Sequence, residues 1–243
     1  MILPTMTDEE RVYEAVRTAH WLCSCFADFK EEIIDKYRRG TRFPYFQRIL
    51  LEDDKRNEWW FTCLCPSKEH RKKMLFMTFA YTIYDVPPKR TEKRSNAGKG
   101  VLVFDPMAMK KYMDTKAREA GSMVTDITPH ALNRYTERYL KPAGKEGLEV
   151  QRKVESIMQR WMHFDLCADL AGDKNTKKHK EDGICPIDIT MRGGGMFRGC
   201  IVNNLLIRLM TYVADDMMYD NQKERQQEML NEYLDWKRRG IRK

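Results

Sequence analysis

The sequence predicts an α+β fold: an antiparallel sheet with helices packed on one face and a long helix at either end. Three observations carry that expectation. A capped amphipathic pattern opens the chain, aromatic and β-branched runs punctuated by Pro and Gly fill its middle, and a polar-rich helical stretch closes it.

Thr7-x-x-Glu10 reads as a capping box, after which apolar residues recur at Val12, Val16, Ala19, Leu22, Cys23, Phe26, Phe29, Ile33 and Tyr37. Arg38-Arg39-Gly40 is the expected end of that helix, because cations and a left-handed glycine suit its C-terminus. Residues 59–65 and 74–84 read as strands joined by a basic turn over 66–73, and Pro87-Pro88 ends the second. Residues 89–100 hold five cations against one anion and read as an exposed loop. A short apolar run at 101–104 precedes helices expected at 106–120, from Pro129 onward, and at 147–170. Strands are expected at 184–191 and 200–212, with the hairpin Arg192-Gly193-Gly194-Gly195-Met196-Phe197-Arg198-Gly199 between them. A last helix follows from about residue 215 to 237. The expected division is 1–120, a helix plus strand region, and 121–243, a second α+β domain.

Composition narrows the function. With 42% hydrophobic residues and five Trp in 243, the chain can bury a core, so disorder throughout is excluded. Seven cysteines point to reduced thiols rather than a disulfide framework. The N-terminus lacks the pattern of a secretory signal, and the longest apolar run, 74–84, is too short for a bilayer. The expectation is a cytoplasmic protein with no membrane partner. A net charge of +8 favours acidic partners, RNA or another nucleic acid first among them.

The most informative stretch is Thr128-Pro129-His130-Ala131-Leu132-Asn133-Arg134-Tyr135-Thr136-Glu137-Arg138-Tyr139. Thr128 suits an N-cap and Pro129 the first helical position. At roughly 100° per residue, His130, Arg134 and Arg138 fall within about 80° of arc. Partial positive charge at that helix end disfavours imidazolium, so a neutral His130 is the expected general base for an RNA 2′-hydroxyl. Arg134 and Arg138 would hold the scissile phosphate and stabilise its developing charge, with no metal required and a 2′,3′-cyclic phosphate as product. The same stripe also suits an ordinary solvated helix surface, with Glu137 paired to a nearby arginine.

The T-P-H-A-x-x-R-x-x-x-R segment, followed by a helix and a glycine-containing hairpin ending in Thr211-Tyr212, resembles small RelE-superfamily toxin-like domains over residues 126–217. The resemblance implies a compact α+β domain with metal-independent endoribonuclease activity. It places His130, Arg134 and Arg138 in the functional cleft and turns Thr211 and Tyr212 towards it, Tyr212 as candidate general acid. The first 120 or so residues have no counterpart in such domains.

Further nucleic-acid contacts are expected from Lys89, Arg90, Lys93 and Arg94 in the basic loop, and from Arg192 and Arg198 around the triple glycine, whose backbone N–H groups could cradle phosphate. Basic segments at 68–73, 174–180 and 237–243 and the pair Trp59-Trp60 beside Arg56 could extend that surface. Cys23-x-Cys25 and Cys63-x-Cys65 lack zinc spacing, so no metal or cofactor is expected. The rival function is a non-catalytic basic accessory protein of a phage or mobile element, binding nucleic acid or a protein partner through the first and last helices. A purely protein-binding inhibitor with incidental charge is the third reading.

Overall fold

A computed structural model describes residues 2–3, 5–39, 42–72, 77–88, 97–115, 124–161, 168–170, 183–203 and 206–240. The chain divides into two compact units, Met1–Ile127 with Asn204–Ile207, and Thr128–Asn203 with Arg208–Lys243.

In the first unit, helix α1 (Asp8–Arg39) starts on the expected capping box: Thr7 N–H donates to Glu10 Oε2 at 2.7 Å and Glu10 N–H to Thr7 Oγ1 at 3.2 Å. Strands β1 (Tyr45–Glu52), β2 (Glu58–Cys65), β3 (Met77–Val86), β4 (Gly98–Phe104) and β5 (Val124–Ile127) pair in that order, each antiparallel to its neighbour. The basic turn after β2 contains a short helix, α2 (Lys68–Lys72), and β4 leads into α3 (Pro106–Thr115). Strands β1 and β5 lie where no strand was expected. Phe26 of α1 lies on Phe61 of β2, ring centroids 5.2 Å apart, and Trp59 packs edge-on against Phe104.

Consecutive residues from Phe61 to Cys65 are all buried, as are those from Thr78 to Thr82. Neighbouring strand residues point to opposite faces, so both faces of these strands are covered, unlike the one-sided pattern expected. Of the two tryptophans, Trp59 is fully buried and Trp60 half-buried, its ring stacked on Tyr81.

The hairpin joining β1 and β2 is organised by one buried carboxylate. Asp53 accepts from the N–H groups of Lys55 and Asn57, from Asn57 Nδ2, from Trp59 Nε1 and from Arg17. Arg17 also reaches Glu14, which Lys55 Nζ meets at 2.9 Å. Burial alone would raise both carboxyl pKa values, but these hydrogen bonds and cations outweigh it and hold both below the ordinary range. Arg11, Tyr84 and Asp126 form a second buried cluster, with Arg11 Nη1 2.8 Å from Asp126 and the Tyr84 hydroxyl donating to the same carboxylate at 2.5 Å.

The second unit contains α4 (Pro129–Tyr135), a π-helical turn over Thr136–Leu140, α5 (Val150–Arg160), β6 (Ala168–Leu170), β7 (Ile184–Thr190), β8 (Met196–Val202), α6 (Asp220–Gly240) and all but the first two residues of β9 (Leu206–Val213). The helix expected over 147–170 ends at Arg160. Trp161 is extended and bridges to Met191, and 168–170 pair with β7. The strand expected over 200–212 is two strands, because Asn203 adopts φ +49 and turns the chain. The protein is α+β with a mostly antiparallel sheet, mixed where a purely antiparallel one was expected.

Candidate functional site

Helix α4 is anchored as its sequence dictates. Thr128 Oγ1 accepts from Ala131 N–H at 3.2 Å and donates to the Leu209 carbonyl at 2.8 Å, and Pro129 occupies the first turn. Pro129, Ala131, Leu132 and Tyr135 are buried, whereas Asn133 is exposed and His130, Arg134 and Arg138 are half-exposed. The apolar side faces the core and the polar side is partly exposed.

At Thr136 the hydroxyl donates to the Leu132 carbonyl at 2.8 Å, and the helix widens into its π turn. A wider turn advances by less than roughly 100° per residue, so Arg138 stays closer in line with Arg134 than a regular α-helix would keep it. Arg134 pairs with Glu137 at 2.7 Å, the pairing expected of an ordinary helix surface. Arg138 donates to the backbone carbonyl of Tyr212.

Tyr212 is 1% exposed, and its hydroxyl donates to the Gly194 carbonyl at 3.2 Å. That hydroxyl faces the interior, not the surface that carries His130, so the placement expected of a general acid is not the one seen. Its pKa is raised, chiefly by burial, with the charge of Arg160 pulling the other way.

The feature that sequence reasoning missed is Arg160, the last residue of α5. It is 7% exposed and touches no carboxylate among the described residues. Its Nε donates to the Arg192 carbonyl at 2.9 Å and its Nη2 to the Gly194 carbonyl. Its guanidinium carbon lies 3.5 Å from the ring centroid of Tyr139, 5.6 Å from Tyr135 and 5.9 Å from Tyr212. Two carbonyls and three aromatic faces replace the counter-ion. Burial works against the charge, yet the oxygens of Tyr135 and Tyr212 outweigh it and leave the pKa raised. No periodicity marks such a residue, because it sits at the margin of the apolar side of α5.

Arg160 also explains the glycine-rich turn. Arg192 N–H donates to the Arg160 carbonyl at 2.9 Å, Gly194 N–H to Met191 at 3.2 Å, and Gly195 N–H to Asp215 Oδ1 at 2.5 Å. Three of the N–H groups expected to cradle phosphate, those of Arg192, Gly194 and Gly195, are therefore already donated to acceptors of the protein itself. A Cβ on Gly195 would lie 2.0 Å from the Tyr212 hydroxyl, and one on Gly194 2.1 Å from Asp215. Glycine is required here by close packing as well as by positive φ. Arg198, expected in the loop, lies on β8 and pairs with Asp188 at 3.0 Å. The Arg192 side chain is exposed, with no ion pair among the described residues. Lys89, Arg90, Lys93 and Arg94 lie outside the described residues, as does the segment 174–180.

Among the described residues there is no group of three or more His, Cys, Asp or Glu suited to a metal ion, and no helix long and apolar enough to cross a membrane. Cys63 and Cys65 are buried in β2. No protein-family model, curated protein or solved structure matches the chain.

Proposed function

We propose that the chain is an RNA-directed protein with a RelE-like second unit that acts as a metal-independent endoribonuclease through the polar side of α4. The observation that carries the reading is the half-exposed His130–Arg134 face of a helix whose apolar side chains are all buried. His130 takes the 2′-hydroxyl proton, and the two arginines bind the phosphate as negative charge builds on it. The Arg134–Glu137 pair opposes this little, because an exposed i,i+3 pair is worth only about 0.5 kcal/mol and phosphate can displace it. One N–H of Arg138 is held by the Tyr212 carbonyl, which orients the guanidinium and leaves its other donors for a ligand. Tyr212 is thus a positioning residue in this scheme, and the leaving oxygen takes its proton from water.

Purified protein is expected to cut single-stranded RNA in the presence of a chelator and leave 2′,3′-cyclic ends. His130→Ala should lower the rate by at least about 100-fold with an unchanged circular dichroism spectrum. Cleavage that stops on chelation rules the mechanism out.

A second reading, a non-catalytic nucleic-acid-binding accessory protein, is favoured by the sequestered Tyr212 hydroxyl. It predicts a salt-dependent mobility shift with the bound RNA left intact, and Arg192→Ala should reduce the salt slope by about one phosphate contact.

A further inference from the structure

The basic end of α1 and the basic helix α2 meet within the first unit. Tyr37, near the end of α1, is buried and shares a hydrogen bond with Cys65, whose Sγ donates to the Ser67 carbonyl at 3.2 Å just before α2. Arg71 of α2 donates through Nη1 to the Arg38 carbonyl at 3.5 Å, and its guanidinium lies 5.5 Å from the ring centroid of Phe43. It thereby serves the carbonyl end of α1 and covers Phe43. The anions nearby are engaged: Asp35 with Arg38 at 3.7 Å, Glu32 with Lys36, and Glu69 with the Ser67 hydroxyl, which donates to it at 2.9 Å. Arg39, Arg42, Lys68 and Lys72 are exposed, and none of the four has an ion pair among the described residues. Lys68 and Lys72, four positions apart, share one side of α2 with Cβ atoms about 6 Å apart.

We propose that this patch binds the phosphate backbone of a nucleic-acid strand. It is carried by the first unit alone, and it stands whether or not the α4 residues cut RNA. A protein partner needs an apolar anchor at the centre of its interface, and a lipid surface takes apolar side chains between its head groups. The patch offers neither. None of the large apolar side chains exposed among the described residues lies at 36–43 or 67–72, and Phe43 is covered by Arg71. It presents instead four cations without counter-ions, two of them guanidiniums. Phosphates satisfy such groups through charge-assisted hydrogen bonds and counterion release, with no apolar anchor required. Contacts to phosphate alone read neither the base nor the sugar, so the binding is indifferent to sequence.

Fluorescence anisotropy of the full chain with a labelled single-stranded 2′-O-methyl oligonucleotide tests the inference, because that probe keeps the phosphates and has no 2′-hydroxyl to be attacked. Wild type should bind with an affinity that falls steeply as salt rises. The variant carrying Arg39→Gln, Arg42→Gln, Lys68→Gln and Lys72→Gln should keep its circular dichroism spectrum. At roughly 0.7 per phosphate contact, its slope of log K against log salt should drop by about 3, and its binding at about 0.1 M salt should weaken about 100-fold. Lys68→Gln with Lys72→Gln should lower the slope by about half as much. The same loss of charge at Lys30→Gln with Lys110→Gln, both exposed elsewhere in the first unit, should leave it unchanged. Strands of unrelated sequence, DNA included, should bind alike. An unchanged slope in the fourfold variant, equal weakening by the Lys30 and Lys110 pair, or tighter binding to polyglutamate or anionic vesicles overturns the proposal. Patch-dependent binding without any RNA cleavage supports it and counts against the α4 mechanism alone.

Discussion

Gly193 and Gly195 separate two reasons for a glycine in one turn. Both have positive φ, but a Cβ on Gly193 meets nothing within 4 Å, whereas one on Gly195 strikes the Tyr212 hydroxyl and comes 2.8 Å from the Val213 carbonyl. Gly193→Ala should cost about 1 kcal/mol, the left-handed penalty alone. Gly195→Ala should cost about 3 kcal/mol or more, since overpacking against backbone adds to the strain. Arg160 is the other decisive residue. Arg160→Ala leaves the Arg192 carbonyl without its buried side-chain donor and the Gly194 carbonyl with the Tyr212 hydroxyl alone, and should destabilise by about 3 kcal/mol, measured by urea titration. Arg160→Lys should recover only part of that, because an ammonium cannot span two carbonyls and lie flat on Tyr139.

Among the elements, the β1–β2 hairpin shows how a buried carboxylate becomes an organising centre. Asp53 collects five donors from the turn, from β2 and from α1. Asp53→Asn puts an amide donor among those donors and should cost about 3 kcal/mol. Because the folded pKa values of Asp53 and Glu14 are depressed, their contribution is complete above the unfolded values near 4 and is lost as pH falls through the folded ones. The melting temperature should therefore fall on acidification below about pH 5, and less steeply in Asp53→Asn. In α4, the Thr128 cap and the Thr136 back-bond act at opposite ends of one short helix. The first sets where His130 emerges, and the second sets the line of Arg138.

Over the whole molecule, the buried acids that must stay neutral limit stability on the alkaline side. Burial pushes the Cys63 thiol up to about 12 and raises Tyr37, Tyr135 and Tyr212 above their ordinary values. Each raised group contributes stability that is complete below its unfolded pKa, about 8.5 for Cys and about 10 for Tyr, and is lost as pH rises through the folded value. The urea midpoint should hold up to about pH 8 and decline beyond it, and Cys63→Ala should make the decline between about pH 8 and 10 shallower. An unchanged midpoint from pH 8 to 11 contradicts this account.

Local codes in the sequence determined α1 with its capping box, the start of α4 at Thr128, the stop at Pro87-Pro88 and one face of several strands. Each rests on hydrogen bonds or steric limits within a few residues, so each survives without knowledge of the fold. The end of α5 and the splitting of 200–212 were not legible, because Trp161 leaves the helix to meet Met191, thirty positions on, and one left-handed Asn203 ends β8. Of the candidate site, the sequence determined which residues share the polar side of α4. Only the tertiary structure decided that Tyr212 faces inward, that the Arg192, Gly194 and Gly195 N–H groups are taken, and that Arg160 holds the turn. A buried cation among aromatic rings is a property of several segments meeting, and no single segment encodes it.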